Sequence, residues 1–445
     1  MSVEREALSV EGRNPSGRFS HLTSHIRHQV LRLLIVVAAL LLVGSPAGAQ
    51  KRVILFIGDG VGVSYWTAAR FAADNLAVSQ FKTIGLVDTR ASSHPITDSA
   101  AGATAYSAGL RTFNGAVGVG PDSQPVETVL EAAKKQGWAT GIVVTSSVTD
   151  ATPGAFVAHV PSRTQQFDIA RQMTALAPDV ILGGGTRWFS PTVRPDREDL
   201  LARLDSTHTV VTDAAGFDGL RDTTMKKLVG LFGAQDMMPA PDRAPALPAM
   251  TRKAIDVLSR DPDGFFLMVE GSQPDWRGHD NMPIGSVAAE VLDFDAAIGI
   301  ALAYQKRVPD VLILVVADHE TGGLAIGTAR DSIVLTSTAN ALTEAVRGLT
   351  RSTALLTKQA ADSVDSLARG MLITAARMQN AARSARAERL VADYTTGGHT
   401  AQMVPLFASG PGAEAFGGMI DNHRVGQMLL EIVRRPASPV RRRRE

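Results

Sequence analysis

Three apolar runs in this chain each end in side chains able to bind a cation. VILFIGDG (53–60) leads to Asp59, GFFLMVEGSQPDWRGH (264–279) carries Glu270, Asp275 and His279, and VLILVVADHETGG (311–323) carries Asp318 and His319. Cysteine is absent, so any transition metal must be held by His, Asp and Glu. Asp275 and His279 are four residues apart and can face one ion. The adjacent Asp318 and His319 can enter one shell or bridge a cluster. His399, in the glycine-flanked TTGGHT (395–400), can complete a site. Taken singly, each of these also reads as a solvated surface turn. Ligands of open α/β sheets bind outside the carboxyl ends of the strands. The joint pattern therefore predicts a metal site at one sheet edge, holding more than one ion.

Two further segments carry polar chemistry. TDSAAGATA (97–105) places Ser99 at the start of a small-residue helix, where free N–H groups and the helix dipole favour phosphate. No histidine follows at triad-like spacing, so a metal is the expected activator of a serine nucleophile there. Asp98 or Ser99 acting only as a helix N-cap is the plain alternative. VTDATPGAFVAHVPSR (148–163) carries Asp150, Thr152 and Arg163, and a guanidinium suits bidentate phosphate contact, although most single arginines are merely solvated.

The elements that must position these groups follow an alternating pattern. VILFIGDG precedes the helical SYWTAARFAAD (64–74), and VETVLEAAKKQG (126–137) precedes the strand-like ATGIVVTSSV (139–148). DVILGGG (179–185), FFLMVEG (265–271) and VLILVVAD (311–318) are short and nearly all apolar, as strands covered on both faces are. A long helical pattern, 284–307, separates the last two. The expected fold is α/β, a three-layer α/β/α sandwich with a central, mostly parallel sheet. An Ala-, Arg- and Ser-rich stretch at about 331–392 reads as a helical insertion.

The chain has 445 residues, 45% of them hydrophobic, ample for one large core. Lys+Arg number 45 against 44 Asp+Glu, which gives no argument for a nucleic-acid partner. Residues 1–49 read as an export signal: Arg27, His28 and Arg32 precede the apolar run 33–43, and Ala47-Gly48-Ala49 offers a cleavage site. The run is short for a bilayer span, so no stable membrane anchor is expected, an uncleaved anchor being the alternative. The catalytic domain is expected over 50–436, followed by a basic, disordered tail at 437–445. The expected location is periplasmic or secreted.

Together these segments resemble the alkaline phosphatase family, from about Val53 to Ile432, with further matches in GLRTFNGAVGV (109–119), DVILGGG and PLFASGPGAEAFGGMIDN (405–422). The resemblance implies a metal-dependent phosphomonoesterase acting on small-molecule phosphate monoesters through a phosphoserine. It implies that Ser99 is the phosphorylated serine. Asp59, Asp318 and His319 would hold one zinc, and Asp275, His279 and His399 a second. Asp59, Thr152 and Glu270 would hold a magnesium, with Asp150 in its outer shell. Arg163, oriented by Asp98, would clamp two phosphoryl oxygens. The cofactors implied are thus two Zn(2+) and one Mg(2+), and a homodimer is possible. One position departs from the enteric branch: Trp276 stands where that branch has lysine and many animal enzymes have histidine. An uncharged indole cannot pair with Asp150 or hold phosphate by charge, so weaker product inhibition is expected.

The donor chemistry agrees with these assignments. Mixed nitrogen and oxygen sets suit zinc, and the all-oxygen set suits magnesium. Phosphodiesterases and sulfatases on the same fold are the nearest enzymatic alternatives. Ser99 with Arg163 favours a dianionic monoester over either. A non-catalytic phosphate- or metal-binding protein is the alternative outside enzymes, and it should have lost the nucleophile or a ligand.

Overall fold

The computed structural model describes residues 51–221, 224–328 and 390–435. The segment read as an export signal and the basic tail lie outside them, as does the expected helical insertion apart from its last residues. Residues 390–392 belong to a strand, so the helical reading does not extend to that end.

The chain begins with β1 (Arg52–Gly58), α1 (Val63–Ala72) and β2 (Thr83–Asp88). Helices α2 (Ser99–Ala108) and α3 (Val129–Lys135) lead to β3 (Ala139–Ser147). Then come α4 (Ala151–Val157), α5 (Gln166–Leu176), β4 (Val180–Gly184), α6 (Leu200–Asp205) and β5 (Thr209–Val211). Next are α7 (Ala214–Gly219), β6 (Leu228–Leu231), α8 (Leu247–Leu258) and β7 (Phe265–Gly271). Helices α9 (Gln273–His279) and α10 (Ile284–Gln305) precede β8 (Val311–Val316) and the short β9 (Glu320–Thr321) and β10 (Ala325–Thr328). The described chain closes with β11 (Leu390–Asp393), β12 (His399–Thr400), β13 (Val404–Ser409), β14 (Gly418–Asp421) and α11 (Asn422–Arg434).

Ten strands form one sheet in the order β14-β2-β13-β8-β1-β7-β3-β4-β6-β5. Every described pairing within this sheet is parallel except those of β13 with β2 and β8. β1, β7 and β8 sit side by side at its centre, and from Val53 onward their side chains are almost completely removed from water. That burial on both faces is why the sequence shows continuous apolar runs there instead of alternation. α1, α8 and α10 pack together in one helical layer, and α2, α3, α4 and α11 in the other.

The central register lines up the ends that matter. Gly58 pairs with Gly271, and Ile57 with both Glu270 and Val316. Asp59, the α9 segment and Asp318 thus leave the sheet from the same edge. α2 approaches closely because all ten of its residues, mostly Ala, Ser and Gly, are buried. A side chain at Gly102 would stand 3.0 Å from the Asp318 carbonyl oxygen. Glycine there lets the helix lie against the strand end and presents Ser99 to it.

Candidate metal centre and its nucleophile

Ser99 opens α2, and the Asp98 side chain caps that helix by accepting from the Ala101 N–H at 3.0 Å. The capping role foreseen as the plain reading is therefore real for Asp98. Ser99 does something else. It is 2% exposed, and its Oγ lies 3.2 Å from His319 Nε2 and within 3.5 Å of the Arg163 guanidinium. Arg163 is held on both sides, by Asp98 and by Asp150, each at 3.3 Å. Burial works against its charge, but Asp150 and Asp98 outweigh it and raise its pKa. A guanidinium permanently charged and fixed beside a hydroxyl can bind two oxygens of a phosphoryl group.

The expected acids and imidazoles converge around that hydroxyl. His319 Nε2 lies 3.4 Å from Asp59 and 3.3 Å from Asp318. His279 Nε2 lies 3.3 Å from Asp275 and 3.0 Å from His399 Nε2. The rings of His319 and His399 stack with centroids 3.5 Å apart. Donor atoms of Asp275, His279 and His399 lie within 4.8 Å of one another, and so do those of Asp59, Asp275 and His319. Asp275 is thus within reach of both groups, and Asp318, expected beside Asp59 and His319, lies against His319 as well. Asp275 lies between the sets because α9 starts directly beyond β7, next to β1.

The electrostatics favour cations. Burial, reinforced by Asp318 and Asp275, raises the pKa of Asp59 well above the usual range. Burial and Asp150 do the same to Glu270, opposed by hydrogen bonds from Ser272 and Thr152. Asp318 is pushed up to about 7 by burial and by Asp275. Burial also raises Asp275, but the His279 hydrogen bond and the imidazoles of His319 and His399 prevail and hold it at about 2. His279 is raised to about 9 by its hydrogen bond to Asp275, while burial lowers His319 and His399.

One buried oxygen of Asp59, one of Glu270 and one of Asp318 have no hydrogen-bond partner. A buried polar oxygen left unpaired costs about 1–3 kcal/mol. Three in one cluster would consume a large share of the roughly 5–15 kcal/mol that keeps a domain folded. The imidazoles agree with this. His279 Nδ1 faces the Gly397 carbonyl at 2.7 Å, and His399 Nδ1 faces the Thr97 carbonyl at 2.8 Å. A carbonyl only accepts, so each Nδ1 carries a proton and each Nε2 is turned into the cluster, the two 3.0 Å apart. The residues present fit metal ions.

A family model described as alkaline phosphatase matches residues 50–434. The chain belongs to the alkaline phosphatase family. It is a phosphomonoesterase, and the family is metal-dependent. Alkaline phosphatase 3 of Bacillus subtilis is 34% identical over 424 residues, covering 86% of this chain and 89% of that one. The alkaline phosphatase of the Antarctic bacterium TAB5 superimposes with a TM-score of 0.71 at 34% identity, covering 87% of this chain and 99% of that one. A mutant of the TAB5 enzyme, with Mg bound in its M3 site, matches with a TM-score of 0.69 at 33% identity over the same shares. The α/β sandwich expected from the sequence is the fold observed. The phosphodiesterase, sulfatase and non-catalytic alternatives give way to this membership.

Every expected site residue lies among the described ones. Thr152 is buried on α4, and Trp276 is half-buried, following Asp275 on α9. Sequence reasoning passed over Thr321 and Tyr65. Thr321 is two residues past His319, and in extended chain i and i+2 share a side. That spacing was readable. Tyr65, whose hydroxyl donates to the Thr321 carbonyl at 2.6 Å, gives no such cue.

Proposed function

We propose that this phosphatase works with two zinc ions and one magnesium. Asp275, His279 and His399 would hold one zinc, Asp59, Asp318 and His319 the other, and Asp59, Thr152 and Glu270 the magnesium. The support is the donor chemistry: mixed imidazole and carboxylate sets suit zinc, and the all-oxygen set suits magnesium. When bound, such ions supply charge that activates a hydroxyl and stabilises the attacking and leaving oxygens of an in-line displacement.

The observation that carries the reading is the Ser99 hydroxyl, buried between His319 and Arg163. Arg163, pinned by Asp98 and Asp150, binds two phosphoryl oxygens and fixes phosphorus before Ser99. Ser99 Oγ gives up its proton and bonds to phosphorus as the bond to the alcohol oxygen breaks, and the departing oxygen takes up a proton to leave as the alcohol. Water then attacks the phosphoserine from the side the alcohol left, freeing phosphate and restoring Ser99. Two in-line steps give net retention at phosphorus. Residues 1–49 would direct export to the periplasm or medium, and the enzyme is proposed to act as a homodimer on small phosphate monoesters.

The test is p-nitrophenyl phosphate turnover before and after chelation. Loss with the chelator and recovery with zinc plus magnesium are expected. Unchanged turnover in fully chelated protein contradicts the reading.

A further inference from the structure

Thr321 stands between the two donor groups. It is fully buried in β9, and its backbone is pinned on three sides. Its N–H donates to the Gly60 carbonyl at 3.2 Å, its carbonyl accepts from Tyr65, and it pairs with His399 across β12. Its hydroxyl donates to Asp275 Oδ1 and lies 3.2 Å from His319 Nδ1. One hydroxyl thus touches a member of each set.

A hydroxyl has one proton, and an ionised carboxylate only accepts. With that proton committed to Asp275, the oxygen can only accept from His319. The imidazole proton must then sit on Nδ1, leaving the Nε2 lone pair toward Ser99, Asp59 and Asp318. His279 and His399 obtain the same tautomer from backbone carbonyls. His319 depends on a side chain for it, and that side chain is tied to Asp275.

We propose that Thr321 is a positioning residue that locks His319 in the tautomer a cation requires and joins it to Asp275, so that the two metal-binding sets are held as one unit. This rests on the reading that these sets hold metal ions.

The test is zinc affinity of the full chain, measured by chelator competition, for wild type, Thr321→Val and Thr321→Ser. Partners that orient metal ligands typically contribute about 10–100-fold in affinity. A loss of that size is expected for Thr321→Val, which keeps the shape and removes the hydroxyl. Thr321→Ser, which keeps the hydroxyl, should retain affinity near that of wild type. Thr321→Ala serves in place of valine should the valine chain not fold, with the same loss expected. Wild-type affinity in the valine or alanine chain overturns the proposal, as does an equal loss in the serine chain. A wild-type chain that binds no zinc at all overturns the metal reading beneath it, a result distinct from either.

Discussion

Among single residues, Asp275 carries the most consequence. Its carboxylate contacts His279, approaches His399 to 3.6 Å and accepts from Thr321. The residue after it, Trp276, is proposed to weaken the hold on phosphate. An indole offers no positive charge to a dianion, whereas an ammonium in that position would. Trp276→Lys should therefore tighten inhibition by inorganic phosphate. Measured inhibition constants decide it: tighter inhibition of wild type than of the lysine variant contradicts the argument. The sequence displayed nearly all of these residues, because each follows an apolar strand or opens a helix. It could not display that Asp275 lies within reach of both groups. That depends on where α9 meets the end of β1, which is set by packing between segments more than two hundred residues apart.

At the level of elements, the loop after β1 is the tightest joint. Gly60 has φ +71, and a side chain there would meet Thr321 Oγ1 at 2.7 Å and Asp275 Cα at 2.8 Å. Left-handed backbone costs a non-glycine residue about 1–2 kcal/mol before any clash. Gly60→Ala should therefore destabilise the fold by at least about that amount and weaken zinc binding, because Asp275 must shift. Denaturant unfolding together with chelator competition checks both. A variant with wild-type stability and affinity would show that this joint is not tight. The strands around it were readable to differing degrees. β7 runs over 265–271 as expected, and β8 and β1 read clearly because both faces of each are apolar. β2 is hidden from periodicity: Ile84 and Leu86 are exposed while Gly85 and Val87 are buried, so neither face reads as the polar one. β9 and β12, two residues each, are too short to show any pattern. They nonetheless bring Thr321 and His399 together.

For the whole molecule, the metal centre links stability to pH. Asp318 has an ordinary value near 3.8 and stands at about 7 in the folded, metal-free chain, because burial and Asp275 disfavour its charge. The folded state therefore holds this proton more tightly than the unfolded one. Its stabilising contribution is present below pH 3.8 and is lost as pH rises toward about 7. Asp59 and Glu270, raised for the same reason, act in the same direction. His279 begins at 6.5 and is raised to about 9, so its contribution persists below pH 6.5 and disappears as pH climbs through 9. Cations reverse the trend, since they bind the deprotonated groups. Chelated protein should thus lose thermal stability between pH 5 and 8 relative to loaded protein, the gap widening with pH. Melting curves across that range check this, and a gap that narrows with pH contradicts it. Below pH 9, the proton on His279 also competes with a metal ion, which favours alkaline operation. Among the described residues no helix is long and apolar enough to cross a membrane.

The most direct measurement is mass spectrometry of the enzyme quenched in acid during turnover of a phosphate monoester. The account predicts a phosphoryl group on the peptide containing Ser99, and in Ser99→Ala no such adduct and a fall in turnover of at least about a thousandfold. Phosphate-free Ser99 in trapped enzyme, together with near wild-type turnover by Ser99→Ala, would contradict it.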